Sequence, residues 1–350
     1  MNEGLWVIVG LATIMGLVLV LPFSSKKVEK ELEVFLFIMG VLAVSISKLW
    51  SLSLVEEALV EPIKITAAVF VAGLLFRLIR PKIGKWTTAI AQRLGYSVLF
   101  FIIVVGLGLL SSVITAIIAA LVLSEVISAL QLPRKLEVRI VIIACFSIGL
   151  GAALTPIGEP LATIAISKLK GEPYHADFFF LLRLLGIWLI PMILALGVLP
   201  AFLKNTGVVK EDTLTEEDRP ELLRHVVIRA FRVYVFVLAL VFLGTGFMPV
   251  VNKYLVNIPS GALYWVNIIS AILDNATLTA AEISPAMPIE TIKDALFGLL
   301  IAGGMLIPGN IPNIICASKL SIKSKEWALF GVPLGLVIMT GFFVVLLLLG

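Results

Sequence analysis

Long apolar segments alternate along the chain with short polar ones. Runs such as FLFIMGVLAVSI (35–46) and VFVLALVFLG (235–244) are continuously apolar, whereas strands of a membrane barrel would alternate apolar and polar positions over about ten residues. Because an unbroken apolar stretch of about 20 residues crosses a bilayer as a helix, the pattern predicts an all-α polytopic membrane protein. Eight spans are predicted, at 4–22, 33–50, 62–80, 138–167, 178–203, 225–248, 291–318 and 326–349.

Two further apolar segments, 94–132 and 259–287, do not fit a single crossing. The first is too long for one span and carries SSVITA (111–116) in its middle, and the second is interrupted at LDNAT (273–277). A single crossing needs about 20 apolar residues. We therefore predict that each segment is a re-entrant helical hairpin, which enters the membrane and returns to the same side.

The basic residues indicate how these segments are oriented. With both hairpins re-entrant, the basic loops all fall on one face, at 24–30, 77–93, 133–139, 204–232 and 319–325. Loops rich in Lys and Arg face the cytoplasm. The pattern therefore predicts a multi-pass protein of the cell membrane with these loops cytoplasmic and both termini outside, while the segments 53–62 and 249–261 lie on the opposite face.

Self-comparison of the chain reveals an internal repeat. VITAIIAALVLSE (113–125) aligns without a gap with IISAILDNATLTA (268–280), which pairs Asp274 with Ala119, and GAALTPIGEPLATIAISKL (151–169) aligns with GGMLIPGNIPNIICASKL (303–320). In the predicted topology the two copies run in opposite directions, as in many secondary transporters. The expected organisation is two N-terminal scaffold spans within 1–50, repeat unit 1 (62–203), a cytoplasmic linker (204–224) and repeat unit 2 (225–349).

Each repeat unit contains a span that proline and glycine should interrupt. The motifs are LTPIGEP (154–160) in the predicted span 138–167 and LIPGNIP (306–312) in the predicted span 291–318. Proline removes a backbone donor and clashes with the preceding turn, so we expect both helices to be broken within the membrane. The helix-break residues are Pro156, Gly158, Pro160, Pro308, Gly309 and Pro312. Freed carbonyls suit a cation and half-helix N-termini suit an anion, so the backbone leaves the sign of the substrate open.

Two acidic residues favour a cation. Glu159 lies in the first break and Asp274 at the tip of the second hairpin, and neither stretch contains a Lys or Arg. An isolated carboxylate in hydrocarbon costs about 3 kcal/mol or more, so we expect a bound cation or proton at both, with Asp274 and Glu159 as ligands of Na⁺ or another hard cation. Further oxygen ligands are expected from Thr155, Asn275, Thr277, Asn310 and Asn313.

Structural interpretations of several polar residues stay open. Asp274 can act as the N-cap of the second hairpin arm, a role compatible with ion binding. Glu125 and Glu282 fall late in their hairpins, where we expect solvated positions rather than sites. Ser111, Ser112 and Thr115 can bond back to their own helix instead of lining a site.

The motifs carry a resemblance to a known family. LTPIGEP (154–160) is similar to the SPIGD or TPIGN motifs of the sodium/proton antiporter and arsenite-carrier branches of the ion transporter superfamily, and ILDN (272–275) resembles the Asp-Asn element of the sodium/proton branch. The chain also resembles a set of short predicted cation transporters of unassigned function. The resemblance implies an elevator-type carrier that forms a homodimer, with Thr155, Gly158, Glu159, Asp274, Asn275, Thr277, Gly309, Asn310 and Asn313 at its site.

Two departures from that family bear on the prediction. The first hairpin contains SVITAIIAAL (112–121) without the Ser-Asn-Thr signature of the dicarboxylate branch, and a single span, 225–248, precedes the second hairpin. The first departure argues against a carboxylate substrate. The second leaves the scaffold and the dimer interface undefined by the resemblance.

The sequence thus favours a secondary antiporter that exchanges Na⁺ or a similar cation for protons, with the lipid bilayer and small inorganic ions as its partners and no cofactor. A divalent-cation exchanger and an anion carrier of the same superfamily remain alternatives. An intramembrane enzyme is disfavoured, because Asp274 is the single Asp well inside a predicted span or hairpin. The net charge of +4 without an arginine-rich block gives no indication of nucleic-acid binding.

Overall fold

A computed structural model describes residues 3–203, 223–254 and 258–349, and every regular element within these residues is a helix. The helices are α1 (Glu3–Ser24), α2 (Lys26–Lys30), α3 (Leu32–Ser47), α4 (Leu52–Leu94), α5 (Tyr96–Ile114), α6 (Ala116–Leu130), α7 (Arg134–Ala152), α8 (Pro160–Lys168), α9 (Phe180–Val198), α10 (Leu223–Tyr254), α11 (Ser260–Val266), α12 (Asn275–Glu282), α13 (Ile289–Gly303), α14 (Ile311–Lys319) and α15 (Ser324–Leu349). Short 3-10 turns cover Leu199–Phe202, Asn267–Ala271 and Ile307–Gly309.

Five helical segments of the described chain are long and apolar enough to cross a membrane: Trp6–Ser24, Tyr96–Ile114, Phe180–Phe202, Val226–Val250 and Ser324–Leu348. They present large apolar side chains outward, for example Trp6 at 73% exposure and Ile187 at 74%. Water does not favour so much exposed apolar surface, whereas lipid does. The protein is therefore an all-α protein embedded in a membrane.

The helix α4 departs from the sequence prediction. The segments 53–62 and 77–93 were predicted to lie in loops, but both belong to the continuous helix Leu52–Leu94. The physical reason is that charged residues mark where a helix leaves the hydrocarbon, not where its hydrogen bonding ends. Most of the predicted linker 204–224 lies outside the described residues, and α10 begins at Leu223 within it.

The most buried helices are α7 and α13, which each stop at one of the predicted breaks. Every residue from Ile140 to Thr155 is buried, and so is every residue from Ala295 to Met305. Around them, α5 and α9 pack on α7, and α11 packs on α13, while α15 contacts both α7 and α13. Helices that are apolar on all sides belong in the interior of a bundle, so the two interruptions lie at the centre of the protein.

A separate layer is formed by the N-terminal helices together with α10. In this layer α10 packs along α3 and α4, and α1 packs on α3. Gly40 and Gly246 allow the close approach of α3 and α10, because an added Cβ would lie 2.8 Å from Phe242 Cβ and 2.5 Å from Ala43 Cβ respectively. The layer meets the central helices where α4 contacts α6 and where α10 contacts α12 and α14.

The helices α5 and α7 approach closely because small residues line their contact. The Ser111 hydroxyl donates to the Ile148 carbonyl at 3.0 Å, and the Ser147 hydroxyl donates to the Val104 carbonyl at 2.8 Å. A Cβ added to Gly151 would lie only 1.8 Å from the Gly108 carbonyl oxygen. Small residues and interhelical hydrogen bonds are the usual basis of tight packing within membranes.

We predict that Gly151→Ala disrupts this contact. The new methyl group would overlap backbone, which cannot move aside cheaply, so we expect destabilisation of about 1–3 kcal/mol or more. The measurement is the temperature at which the detergent-solubilised protein aggregates. Gly106→Ala is the matched control, since its added Cβ meets nothing within 4 Å. Equal behaviour of the two variants would contradict the proposed packing.

Candidate functional site

Two interruptions of the buried helices form the centre of the candidate site. The first separates α7, which ends at Ala152, from α8, which begins at Pro160, and the second separates α13, which ends at Gly303, from α14, which begins at Ile311. Pro160 and Pro312 occupy the first turns of α8 and α14, where a missing N–H costs nothing. The predicted helix-break residues therefore lie at or beside the ends of the helices that they interrupt.

Glycine is required in both interruptions because the chain folds back against the helix that it has left. A Cβ at Gly158 would lie 2.0 Å from the Ala152 carbonyl oxygen, and one at Gly309 would lie 2.6 Å from the Gly303 carbonyl oxygen. The residues after these glycines, Glu159 and Asn310, both have extended backbones, with φ and ψ of −155° and 161° and of −154° and 149°. Each stands at the N-cap position of the half-helix that follows, without a side-chain hydrogen bond to that helix.

The carbonyl groups freed at the second interruption are satisfied by side chains. Asn313 Nδ2 donates to the carbonyls of Gly303 and Leu306, both at 2.8 Å. Trp327 Nε1 donates to the Gly304 carbonyl at 3.2 Å. The nitrogen of the predicted ligand Asn313 thus has a structural role, whereas its Oδ1 is buried and has no hydrogen-bond partner among the described residues.

The first hairpin meets the first interruption at its tip. Between α5 and α6 stands Thr115 at φ 78°, and its side chain accepts a hydrogen bond from the Ile118 backbone N–H at 3.3 Å. The Ala116 N–H donates to the Gly158 carbonyl at 2.8 Å, and the Thr155 hydroxyl donates to the Ser112 carbonyl. Thr155 therefore serves to hold the hairpin against the break.

The structure assigns roles to the polar residues for which local hydrogen bonding or capping was an alternative to lining a site. Ser111 and Ser112 do bond back to their own helix, to the carbonyls of Gly108 and Leu109, while Thr115 caps α6. Asp274 is the N-cap of α12, since its Oδ2 accepts from the Thr277 N–H at 3.0 Å and from the Thr277 hydroxyl at 3.3 Å. The methyl group of Thr277 packs against Gly244 of α10.

Four polar side chains converge where these helix ends meet. The Glu159 carboxyl lies beside the amides of Asn275 and Asn310 and within electrostatic range of Asp274. Glu159 Oε1 and Asn275 Nδ2 are both buried without a hydrogen-bond partner among the described residues. The structure thus brings together Glu159, Asp274, Asn275 and Asn310, and it places Thr155, Thr277 and Asn313 in supporting contacts around them.

The electrostatics of this cluster are unusual for a membrane interior. In the described part of the chain neither Glu159 nor Asp274 forms a salt bridge with a basic residue, and no group of three His, Cys, Asp or Glu side chains is placed to hold a metal. The positive contribution comes from the N-termini of α6, α8, α12 and α14, which all begin here. Glu61 of α4 lies within electrostatic range of Asp274. Sequence reasoning missed this acid because it lies outside the repeated motifs.

A cavity of about 450 Å³ approaches the second interruption from one side. Its inner wall includes Ile307, in the 3-10 turn of the break, and Ile314, one turn into α14 from Asn310. Its outer wall carries Lys26, Arg232 and other charged residues of α2, α3 and α10. The charged mouth favours water, so this cavity is a candidate route to the break.

Two acids that were predicted to be solvated are buried instead. Glu125 and Glu282 are each only 3% exposed. Glu125 pairs with Lys319 at 2.7 Å, and Glu282 accepts a hydrogen bond from Asn267 at 3.0 Å. The prediction was wrong because both acids lie near hairpin ends in sequence, while other helices cover those ends in space.

These features define a membrane-embedded, all-α protein that holds the buried Glu159 in a helix interruption and the half-buried Asp274 at the start of α12 beside it. The chain belongs to the DUF1646 family, described as a protein of unknown function, whose sequence profile matches residues 8–349. No curated protein matches the chain.

We predict that the capping role of Asp274 can be separated from its charge. Asn caps a helix about as well as Asp, whereas Ala lowers stability by about 0.5–2 kcal/mol. Asp274→Asn should therefore unfold like the wild-type protein in detergent, and Asp274→Ala should unfold at a lower temperature. Asp177→Asn, at an exposed position, controls for loss of an acid. A stable Asp274→Ala variant would contradict the capping role.

Proposed function

We propose that the protein is a secondary active cation/proton antiporter, which exchanges Na⁺ or a similar hard cation for protons. The observation that carries this proposal is the Glu159 carboxyl, which is buried beside Asp274 with an unpaired oxygen and without a basic partner among the described residues. A positive species must compensate the two acids when both are ionised. A cation and a proton both meet that need.

The free-energy cost of buried charge explains why Glu159 and Asp274 should not both stay ionised without a bound cation. A charged Asp at the centre of a membrane helix costs about 2.5–3.5 kcal/mol on insertion scales, and two neighbouring carboxylates oppose each other's ionisation. The converging helix N-termini offset part of this cost. Binding of a cation or uptake of protons removes the remainder, so the two compete for the same acids.

The surrounding groups suit a hard cation. Carboxylate, amide and hydroxyl oxygens are typical ligands of such ions, and Asn275 and Asn310 flank Glu159. An amide group can turn either its oxygen or its nitrogen toward the carboxyl. The same side chains can therefore coordinate a cation when the acids are ionised and hydrogen-bond to them when they are protonated.

The order of the helices supports the inverted repeat that this mechanism uses. From α4 to α9 the chain forms a long helix, two hairpin arms, two half-helices and a final helix, and α10 to α15 follow the same order. Glu159 and Asn310 have nearly the same backbone angles. In addition, α8 packs on α12 while α14 packs on α6, so each half-helix contacts a hairpin arm of the other proposed unit.

We therefore propose repeat units at 62–203 and 225–349, with eight spans, two re-entrant hairpins and two broken helices, as in inverted-repeat carriers. In this arrangement Tyr96–Ile114, although long and apolar enough to cross a membrane, is an arm of the first hairpin. The basic loops are proposed to face the cytoplasm and both termini to lie outside. The proposal includes an elevator-type movement of the broken helices and hairpins within a homodimer. The α1, α3, α4 and α10 layer would form the scaffold.

An anion carrier is the second candidate, because four helix N-termini converge on the cluster and favour negative charge. Glu159 and Asp274 stand at the N-cap positions of α8 and α12, and their carboxylates would repel an anion. A divalent-cation exchanger has less support, since no group of three acidic, histidine or cysteine side chains in the described residues is placed to hold a metal. Competition by Mg²⁺ or Ca²⁺ against Na⁺ distinguishes these ions.

We predict that Glu159→Gln and Asp274→Asn each abolish cation-dependent proton movement. Both substitutions keep the size of the side chain and remove its charge, so the protein should fold while the exchange of cation for proton is lost. The measurement is the fluorescence of a pH dye in proteoliposomes after addition of Na⁺, Li⁺, K⁺, Mg²⁺ or Ca²⁺. At least a tenfold loss of the initial rate is expected.

Glu290→Gln is the matched control, because Glu290 is an exposed acid on α13 that pairs with Lys293. It should transport like the wild-type protein. Retained exchange in both Glu159→Gln and Asp274→Asn would refute the proposed site. Transport that is indifferent to cations and protons but saturable by an anion would favour the second candidate.

A further inference from the structure

The carboxyl of Glu282 is buried at the end of α12 and uses only half of its hydrogen-bonding capacity. Its Oε2 accepts from Asn267 Nδ2 at 3.0 Å. Its Oε1 is buried, and so is Oδ1 of the same Asn267, and neither oxygen has a hydrogen-bond partner among the described residues. Two buried acceptor oxygens next to one hydrogen bond therefore lack a donor in the part of the chain that the structure describes.

Turning the Asn267 amide over would not solve this problem. Asn267 Nδ2 also donates to the Ala295 backbone carbonyl at 3.2 Å. Because a carbonyl can only accept, it fixes which amide atom is the nitrogen. The missing donor must come from the other side chain, and a carboxyl becomes a donor when it is protonated.

We propose that Glu282 is a proton-binding site, in which a proton on Oε1 is donated to Oδ1 of Asn267. The result is an acid–amide pair with two hydrogen bonds, N–H to Oε2 and O–H to Oδ1. Asn267 stands before the tip residue Asp274 and Glu282 after it, so the pair joins the two arms of the second hairpin. This inference concerns the ground state of the protein and does not rest on the proposed transport activity.

No described charged group packed around Glu282 pairs with its carboxyl. The helix α12 packs against α8, α10 and α13, and no salt bridge joins Glu282 to a basic residue among the described ranges. On α8, Lys168 is exposed, and on α10, Lys253 is exposed. On α13, Lys293 pairs with Glu290, and the remaining charged group, Asp294, is itself an acid.

Glu125 of the first hairpin shows the contrasting solution. It is as buried as Glu282, but Lys319 at the end of α14 lies 2.7 Å from its carboxylate. Lys319 belongs to a Ser-Lys-Leu sequence at the end of α14, and the same sequence stands at the end of α8. The corresponding lysine of α8, Lys168, is exposed. One hairpin thus holds its buried acid in an ion pair, and the other holds its acid against an amide.

Infrared spectroscopy of the purified protein tests this inference without any ion gradient. The carbonyl stretch of a protonated carboxyl is separate from the bands of a carboxylate, and the difference between wild type and Glu282→Gln isolates residue 282. We expect a protonated-carboxyl band in this difference at neutral pH, which is lost as the pH is raised. Glu125→Gln, the matched buried control, should remove carboxylate bands instead.

Three results would overturn the inference. The first is a wild-type minus Glu282→Gln difference that contains carboxylate bands alone at neutral pH. The second is a Glu282→Gln variant that does not fold. Gln offers an N–H to Oδ1 of Asn267 and an oxygen to its Nδ2, so this variant should fold as well as wild type if Glu282 is neutral. A variant that fails to fold would mean that the charge is required. Asn267→Leu should shift the acid band to the position of an unbonded carboxyl, and an unshifted band would refute the pairing.

Discussion

The structure depends on one requirement, that the peptide groups released at two helix interruptions find partners away from water. Each unsatisfied group costs several kcal/mol in hydrocarbon, and local residues cannot supply every partner. Asn313 and Trp327 therefore donate to the carbonyls of Gly303, Leu306 and Gly304, and the Ala116 N–H donates to Gly158. Because those donors come from α14, α15 and the first hairpin, the interruptions determine which helices must pack around them.

The same requirement concentrates polar chemistry at the centre of the protein. Once the hairpins and half-helices are held at the breaks, the N-termini of α6, α8, α12 and α14 point toward one region, and their positive ends make it tolerable for acids. Asp274 serves as a cap there, and Glu159 has the same place before α8 that Asn310 has before α14. Structural capping and a proposed ion site are thus compatible. The Asp274 carboxyl is held by the N-terminus of α12, while the Glu159 carboxyl keeps an oxygen without a hydrogen-bond partner among the described residues.

Sequence alone was sufficient for the features that depend on local chemistry. Proline with glycine predicted both interruptions, and isolated acids in apolar stretches led to Glu159 and Asp274, which the structure places within electrostatic range of each other. It was insufficient where the contacting residues are far apart in the sequence. Lys319 forms an ion pair with Glu125, and Glu61 of α4 lies near Asp274. The gapless alignment also paired Asp274 with Ala119, whereas by its place as an N-cap Asp274 corresponds to Thr115. The 3-10 turn Asn267–Ala271 and the bend after it displace the start of α12, and residue similarity does not reveal such a displacement.

The positions of the ion pairs and hydrogen bonds between helices bear on how the proposed site could open to each side of a membrane in turn. Arg134 at the start of α7 donates to Glu326 and to the carbonyls of Leu320 and Ser321, and the Tyr174 hydroxyl donates to the Met287 carbonyl. These bonds tie the two sets of broken helices and hairpins to each other at both ends. By contrast, the described contact between α10 and α12 is the packing of Gly244 against Thr277, which involves no ion pair. A boundary of small and apolar groups can slide at lower cost than one crossed by buried polar bonds. This difference fits the proposed movement, in which the polar core would shift as one body past α10.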